Sequence, residues 1–162
     1  MQWLNENQQY ALLAVPALAF LEAIVGIGLF VSGAILLTVA TILYSQNIAT
    51  LEQILPLAFV FAALSDHAGF YFGRYIGPGL HHSNLFERYS NKINKAEQFI
   101  VKYGSAAVVL GRLITAIRSL VPMLIGISGM SRLRFTVFDL IACFIWTCGL
   151  GLLIVGLDNL FT

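Results

Sequence analysis

Four ionisable side chains stand inside otherwise apolar stretches of the sequence: Glu22, Asp66, Arg112 and Arg118. Guanidinium groups hold phosphate in a bidentate manner, and a buried carboxylate can balance charge or carry a proton. A charged residue at the centre of a membrane helix costs about 2.5–3.5 kcal/mol on insertion scales. We therefore expect these four side chains to turn inward, pair with one another and line a hydrated cavity. A fifth charge, Asp139, is expected nearer the end of its apolar run.

Arg112 and Arg118 are six residues apart, and this spacing decides whether they can act together. On one continuous helix they would be about 120° apart, with about 9 Å of rise between them, and would not share a face. If the chain turns between them or just after them, both can hold one phosphate group. The alternative is a static ion pair with Glu22 or Asp66. We predict Arg112 and Arg118 as phosphate-binding residues, and Glu22 and Asp66 as proton-carrying or charge-balancing residues.

The other reactive residue types lack the spacing of a metal or catalytic site. His67 follows Asp66 and is interpreted as an interior, hydrogen-bonded histidine. Cys143 and Cys148 lie five apart in an apolar run, which matches neither a redox pair nor a zinc site. The sequence has no phosphate-binding glycine loop, nucleophile elbow or zinc-protease helix motif. We predict no metal, no cofactor and no enzymatic activity, with an intramembrane enzyme as a third hypothesis.

The composition indicates a membrane protein. Of the 162 residues 59% are hydrophobic and 10% are charged, and the mean hydropathy is +0.84. Soluble domains average about 45–50% apolar and about 25% charged residues. Residues 1–73 contain no Lys or Arg, and all nine basic residues lie between Arg74 and Arg134. The first ten residues carry no positive charge, so we expect no cleavable signal peptide.

Apolar runs and breaker residues divide the chain into four apolar blocks around one polar stretch. A spanning helix needs about 20 apolar residues, and the first and third blocks contain breakers or small residues near their middle. A helix that is broken and folded back is a re-entrant hairpin, which is tolerated where it is buried or lines a wet cavity. The predicted order is a first hairpin at 10–44, a transmembrane helix at 54–75, a polar loop with an amphipathic helix at 78–104, a second hairpin at 105–130 and a transmembrane helix at 135–157.

Glycines recur every four residues at the end of the first predicted transmembrane helix and just beyond it, at Gly69, Gly73 and Gly77. Small residues at this spacing let helices approach closely in lipid. This glycine face is therefore predicted to be structural.

The basic residues also predict an orientation, because short loops rich in Lys and Arg stay in the cytoplasm. The loop 78–104 and the start of the last apolar block, at Arg132 and Arg134, carry such residues. We predict that the loop is cytoplasmic and that the two hairpins enter the membrane from opposite faces. The predicted fold class is an all-α, polytopic membrane protein with two re-entrant hairpins, each followed by a transmembrane helix, in an inverted repeat. Secondary transporters use this arrangement to place a substrate site near the bilayer midplane.

Two segments resemble the signature of the DedA family of bacterial membrane proteins, also called the VTT-domain or SNARE-associated family. They are GRLITAIRSLVPMLIGISGM, from Gly111 to Met130, and SDHAGFYFGRYIG, from Ser65 to Gly77. The matching positions are Arg112, Arg118, Pro122, Gly126, Gly129 and Met130 in the first, and Asp66, Gly69, Gly73, Arg74 and Gly77 in the second. Phe135 and Trp146 fall where the family has an aromatic pair. In the first hairpin Glu22 matches, whereas Ala34 stands where the family has a second acid.

The resemblance implies two facing re-entrant hairpins with transmembrane helices in the bacterial inner membrane. It implies translocation or scrambling of lipids, notably undecaprenyl phosphate and phospholipids, with Arg112 and Arg118 at the headgroup positions. Because the second acid is missing, strict proton coupling requires that Asp66 substitutes for it. The alternative is a non-transporting membrane scaffold whose buried charges are structural. The expected partners are membrane lipids and protons, with homo-oligomerisation left open and no nucleic acid.

Overall fold

The structure, a computed structural model, describes residues 8–23, 33–80, 98–113, 118 and 120–161. Besides a helical segment at 98–103, these residues form α1 (Gln8–Ala23), α2 (Gly33–Ser45), α3 (Leu51–Leu80), α4 (Ala106–Leu113), α5 (Val121–Ile127) and α6 (Arg132–Phe161). No strand occurs in the described parts of the chain. The predicted all-α class is therefore confirmed for those parts.

Among the residues that the structure describes, two helices, α3 and α6, are long and apolar enough to cross a membrane. Each has 30 residues, whereas about 20 suffice for a span. At the start of α3 the backbone N–H of Thr50 donates to Oε1 of Gln53 at 3.1 Å, as in one half of a capping box. Large apolar side chains are exposed on the outer faces of both helices, among them Leu64 and Phe72 on α3 and Phe144 and Leu152 on α6.

Helices α3 and α6 run antiparallel. The ring of Phe70, in the second half of α3, stacks on the ring of Phe135 near the start of α6, with centroids 4.2 Å apart. Near the start of α3, Leu55 lies against Gly151 in the second half of α6. Residue numbers therefore fall along α6 as they rise along α3.

The short helix α5 packs against α3 at backbone contact. A Cβ atom on Gly73 would overlap the carbonyl oxygen of Met123, and one on Gly126 would overlap the carbonyl oxygen of Phe70. The glycine face predicted on α3 thus lies against a second glycine on α5. Close approach of this kind gives dispersion contacts that bulkier residues would prevent.

The extensive helix contacts repeat in the two halves of the described chain. Helix α1 packs against α2 and α3, and α4 packs against α5 and α6. Helix α2 also packs against α6, α5 packs against α3, and α3 packs against α6. If α1 is exchanged with α4, α2 with α5, and α3 with α6, the same set of packed pairs results.

The described basic side chains outside the interior lie at one end of the α3 and α6 pair: Arg74, Lys102, Arg132 and Arg134. Nη1 of Arg74 donates to the carbonyl oxygen of Met130 at 2.9 Å, which ties the second half of α3 to the chain just before α6. Residues 100, 101, 104 and 105 border a groove shared with 128–131 and Arg134. The opposite end carries the acidic side chains Glu52 and Asp158.

Candidate functional site

A buried ion pair joins α3 and α4. Nη1 of Arg112 contacts Oδ2 of Asp66, and the two side chains are 6% and 2% exposed. The same nitrogen lies 3.9 Å from Oδ1 of Asp139 on α6. One guanidinium group therefore faces carboxylates from two long helices, and this pairing offsets the high cost of burying each charge alone.

Arg118 reaches the same place from the segment that precedes α5. The described part of α4 reaches Leu113, and Arg118 itself lies in a turn. Both arginines line one cavity with Asp66 and Asp139, and its apolar walls come from Val108, Val121 and Pro122. The two guanidinium groups thus reach a common cavity. The free space in this conformation corresponds to about one water molecule.

Trp146 on α6 faces both guanidinium groups. The Cζ atoms of Arg112 and Arg118 lie 5.4 and 5.7 Å from the centre of its ring. A cation at this distance is attracted to the negative face of an indole. The ring thus gives both arginines a common neighbour in the interior.

Asp139 extends the network to His67. Its Oδ2 lies 3.3 Å from Nδ1 of the imidazole. The same nitrogen lies 2.9 Å from the carbonyl oxygen of Ala63, and Nε2 lies 3.1 Å from Oγ1 of Thr136. The edge of the ring meets Phe135, with centroids 5.2 Å apart. His67 is hydrogen-bonded, as interpreted from the sequence, but it is only part-buried, and its partners include a buried acid.

Asp66, Asp139 and Cys143 present three ligand-type atoms within 4.8 Å of one another. The Arg112 guanidinium already contacts one of these carboxylates and lies near the other. It supplies the positive charge that a metal ion would otherwise bring. The thiol of Cys143 lies 3.8 and 3.9 Å from the two carboxylates and completes the packing around them.

The structure brings three of the four predicted charges together: Asp66, Arg112 and Arg118. The fourth, Glu22, lies in the last turn of α1, but its side chain is outside the described part of the chain. Of the motif residues, Gly69, Gly73 and Gly77 are buried. Pro122 is the second residue of α5, and Gly129, with φ +76°, follows its end.

Sequence reasoning missed Asp139 and His67 as members of the charge cluster. Asp139 lies seven residues after the start of α6, which is about 10 Å along the helix. The polar side chains Thr136, Asp139, Cys143 and Thr147 also recur at helical spacing within this apolar helix. That polar stripe was the available signal for an inward-facing acid.

The profile of the VTT domain matches residues 27–155 of this chain. The chain is 25% identical over 144 residues to an uncharacterized membrane protein of Buchnera aphidicola, covering 89% of this chain and 56% of the relative. It is 22% identical over 144 residues to the inner membrane protein YabI of Escherichia coli, covering 89% and 57%. It is 28% identical over 122 residues to the protein DedA of Escherichia coli, covering 72% and 55%.

The chain thus spans a little more than half the length of these curated relatives. No solved structure is significantly similar to it. The VTT match covers most of the chain, including every described residue of the charge cluster. The chain therefore belongs to the VTT-domain family of membrane proteins, which includes DedA.

Proposed function

We propose that this protein moves anionic lipid headgroups across a bacterial inner membrane, with lipid-linked phosphate such as undecaprenyl phosphate, or phospholipid, as the substrate. The observation that carries this proposal is that Arg112 and Arg118 line one buried cavity together. Two guanidinium groups offer paired donors that match phosphate oxygens. The headgroup enters once the side chains of Arg112 and Asp66 separate, because the closed cavity has room for about one water molecule.

The charge balance of the cavity supports proton coupling. Two arginines and two carboxylates line it, so their formal charges sum to zero when all four are ionised. A bound phosphate adds negative charge in a poorly hydrated interior, where an excess charge is costly. Protonation of Asp66 or Asp139 restores the balance. Binding of an anionic headgroup is therefore accompanied by proton uptake.

An inverted repeat of two hairpin-and-span units accounts for the helix contacts. The antiparallel course of α3 and α6, and the matching contact sets of the two halves, support this arrangement. The charge cluster then lies between the repeats, where transporters of this design bind substrate. The basic end of the molecule, with loop 78–104, faces the cytoplasm.

Cysteine labelling tests this orientation. In a Cys148→Ser background, we expect Gln46→Cys to react with a membrane-impermeant maleimide on intact spheroplasts. Lys102→Cys should react only after the membrane is opened, because Lys102 lies at the basic end and Gln46 borders a groove with the acidic end of α6. The background protein serves as the control, since its remaining Cys143 is buried. Labelling of both sites from the same side would contradict the proposed orientation.

Transbilayer movement in proteoliposomes tests the activity. We expect wild-type protein to move a fluorescent polyprenyl phosphate or a fluorescent phospholipid. Arg118→Ala should slow this movement by about 10- to 100-fold, because a charged hydrogen bond contributes about 1.5–3 kcal/mol. Arg118→Lys should fall between the two, since ammonium is a point charge without the guanidinium fork. Full activity of Arg118→Lys would contradict a bidentate grip, and no movement by folded wild-type protein would contradict transport.

A non-transporting scaffold is the second candidate, and one observation favours it. Arg112 is already paired with Asp66 in a nearly filled cavity, as in a purely structural lock. An enzyme with a Cys143–His67 pair receives less support, because the carboxylate of Asp139, and not the imidazole of His67, lies next to the Cys143 thiol. A cysteine nucleophile requires its base beside the thiol. Replacing both members of the buried pair by apolar residues distinguishes transport from a scaffold role.

A further inference from the structure

We propose that His67 is the residue through which the buried charge cluster exchanges protons with the surroundings of the protein. The inference rests on the transport proposed above and deepens it by naming the proton path. The His67 side chain is 24% exposed, whereas that of Asp139 is 2% exposed. Imidazole is also the side chain that ordinarily titrates between pH 5 and pH 8. His67 therefore links a buried acid to a less buried position with a group suited to proton transfer.

The hydrogen bonds of the ring assign its tautomer. Nδ1 faces the carbonyl oxygen of Ala63 and the carboxylate of Asp139, and both of these accept hydrogen bonds. Nδ1 therefore carries the proton of the neutral ring. Nε2 faces the hydroxyl of Thr136, which can donate or accept. The ring can thus gain a second proton at Nε2 while keeping all three partners.

The transfer then takes two steps. A proton from the surroundings binds Nε2, and the hydroxyl of Thr136 turns from donor to acceptor. The Nδ1–H bond next breaks as an O–H bond forms at Oδ2 of Asp139, which leaves a neutral ring protonated at Nε2. The reverse transfer returns the proton to Nδ1 and releases the one on Nε2. No other reactant is needed.

The charged groups around His67 explain when this transfer occurs. Asp139 comes from α6, Arg112 from α4 lies 3.9 Å from Asp139, and Asp66 is the neighbour on α3. Helix α5 has no titratable side chain. When an anionic group draws Arg112 toward itself, the carboxylates lose their cation and take up a proton. His67 is in contact with the acid that receives it.

Two substitutions separate proton exchange from structural support. In His67→Asn the amide nitrogen replaces Nδ1 as a donor to Asp139, and in His67→Gln the amide replaces the Nε2 end of the ring. Neither side chain can carry a proton, so proton exchange should slow in both variants even where one of them keeps the packing. Thr136→Val is the matched control in α6, since it keeps the branched shape and leaves the ring able to titrate.

The experiment follows binding of farnesyl phosphate to the whole protein in detergent, through Trp146 fluorescence in a Trp3→Phe background, together with a pH-indicator dye. In the parent protein we expect proton uptake to accompany binding. In His67→Asn and His67→Gln binding should persist while proton uptake slows by about 10²-fold, the size of a general acid–base contribution. Thr136→Val should slow uptake less than either variant.

The outcomes distinguish the two proposals. Binding with equally fast proton uptake in both His67 variants would overturn the role of His67 and leave the transport proposal standing. Absence of farnesyl phosphate binding and of proton uptake in the parent protein would overturn the phosphate site itself. The ¹⁵N spectrum of His67 adds a readout without ligand: a neutral ring protonated at Nδ1 is expected, and one protonated at Nε2 would also overturn the assignment.

Discussion

Replacing the buried pair by apolar residues, with Asp66→Leu and Arg112→Met in one protein, should preserve the fold and abolish lipid movement. Arg112→Met alone leaves Asp66 as a buried charge that has lost its closest cation. Breaking a buried pair in this way costs about 3–5 kcal/mol, whereas replacing both partners is often neutral or stabilising. Denaturation in detergent should therefore show a large loss for the single variant and recovery of most of it for the double variant, in which Asp139 loses Arg112 but keeps His67.

In the double variant, lipid movement should not recover although stability does. Its fold recovers, but one of the two guanidinium groups of the proposed headgroup site is missing, so movement of polyprenyl phosphate should stay at the level of empty liposomes. Arg132→Met is the matched control, because Arg132 is exposed at the start of α6, 5.7 Å from the Tyr71 ring. It should change stability little. Wild-type transport by the double variant would show that the buried charges only lock the fold.

The sequence indicates which residue types form the site, but it does not indicate all of the contacts between them. Arg112, Arg118 and Asp66 stand out in sequence because charges in apolar runs must find partners. Which acid completes the cluster depends on the register of α6 against α3, and a single sequence does not contain that register. Asp139 therefore appeared to lie near a membrane surface, although it is 1% exposed in the structure.

The role of His67 was hidden for a related reason. Consecutive residues on a helix are about 100° apart, so His67 and Asp66 point in different directions on α3. They belong to one cluster only because Asp139 on α6 lies beside His67 and near the Arg112 guanidinium that contacts Asp66. A helical wheel of α3 alone cannot show a contact that a second helix creates.

The helices of the structure are longer than the apolar spans predicted from hydropathy. The predicted spans at 54–75 and 135–157 lie inside α3 and α6, which extend beyond them at both ends. An apolar run ends where side chains become polar, whereas a helix ends where its backbone hydrogen bonds end. Helix α3 therefore continues through Leu80, past the Pro78 and Gly79 that were expected to begin the polar loop.

Gly126→Ala should separate α5 from α3 and disturb the charge cavity. The added methyl group would overlap the carbonyl oxygen of Phe70, and the obstacle is backbone that no rotamer change can move. Overpacking commonly costs about 1–3 kcal/mol, and we expect the upper end of this range. Gly73→Ala meets the carbonyl oxygen of Met123 and should behave alike. Unfolding in detergent measures the loss, and lipid movement should fall because α5 contributes Val121 and Pro122 to the cavity wall.

Three other glycines show that the effect comes from the contact and not from the residue type. A Cβ on Gly149 or Gly156 of α6 has no atom within 4 Å, and one on Gly77 lies 3.4 Å from Cα of Ile127. Alanine favours a helix over glycine by about 1 kcal/mol, so Gly149→Ala and Gly156→Ala should be neutral or stabilising, with Gly77→Ala close to neutral. Equal losses at Gly126 and Gly149 would mean that α3 and α5 do not touch as described. Helix α5 contributes two residues to the cavity wall, and α3 contributes Asp66. If only the Gly73 and Gly126 variants lose stability and lipid movement, the charge site depends on the backbone contact between α3 and α5.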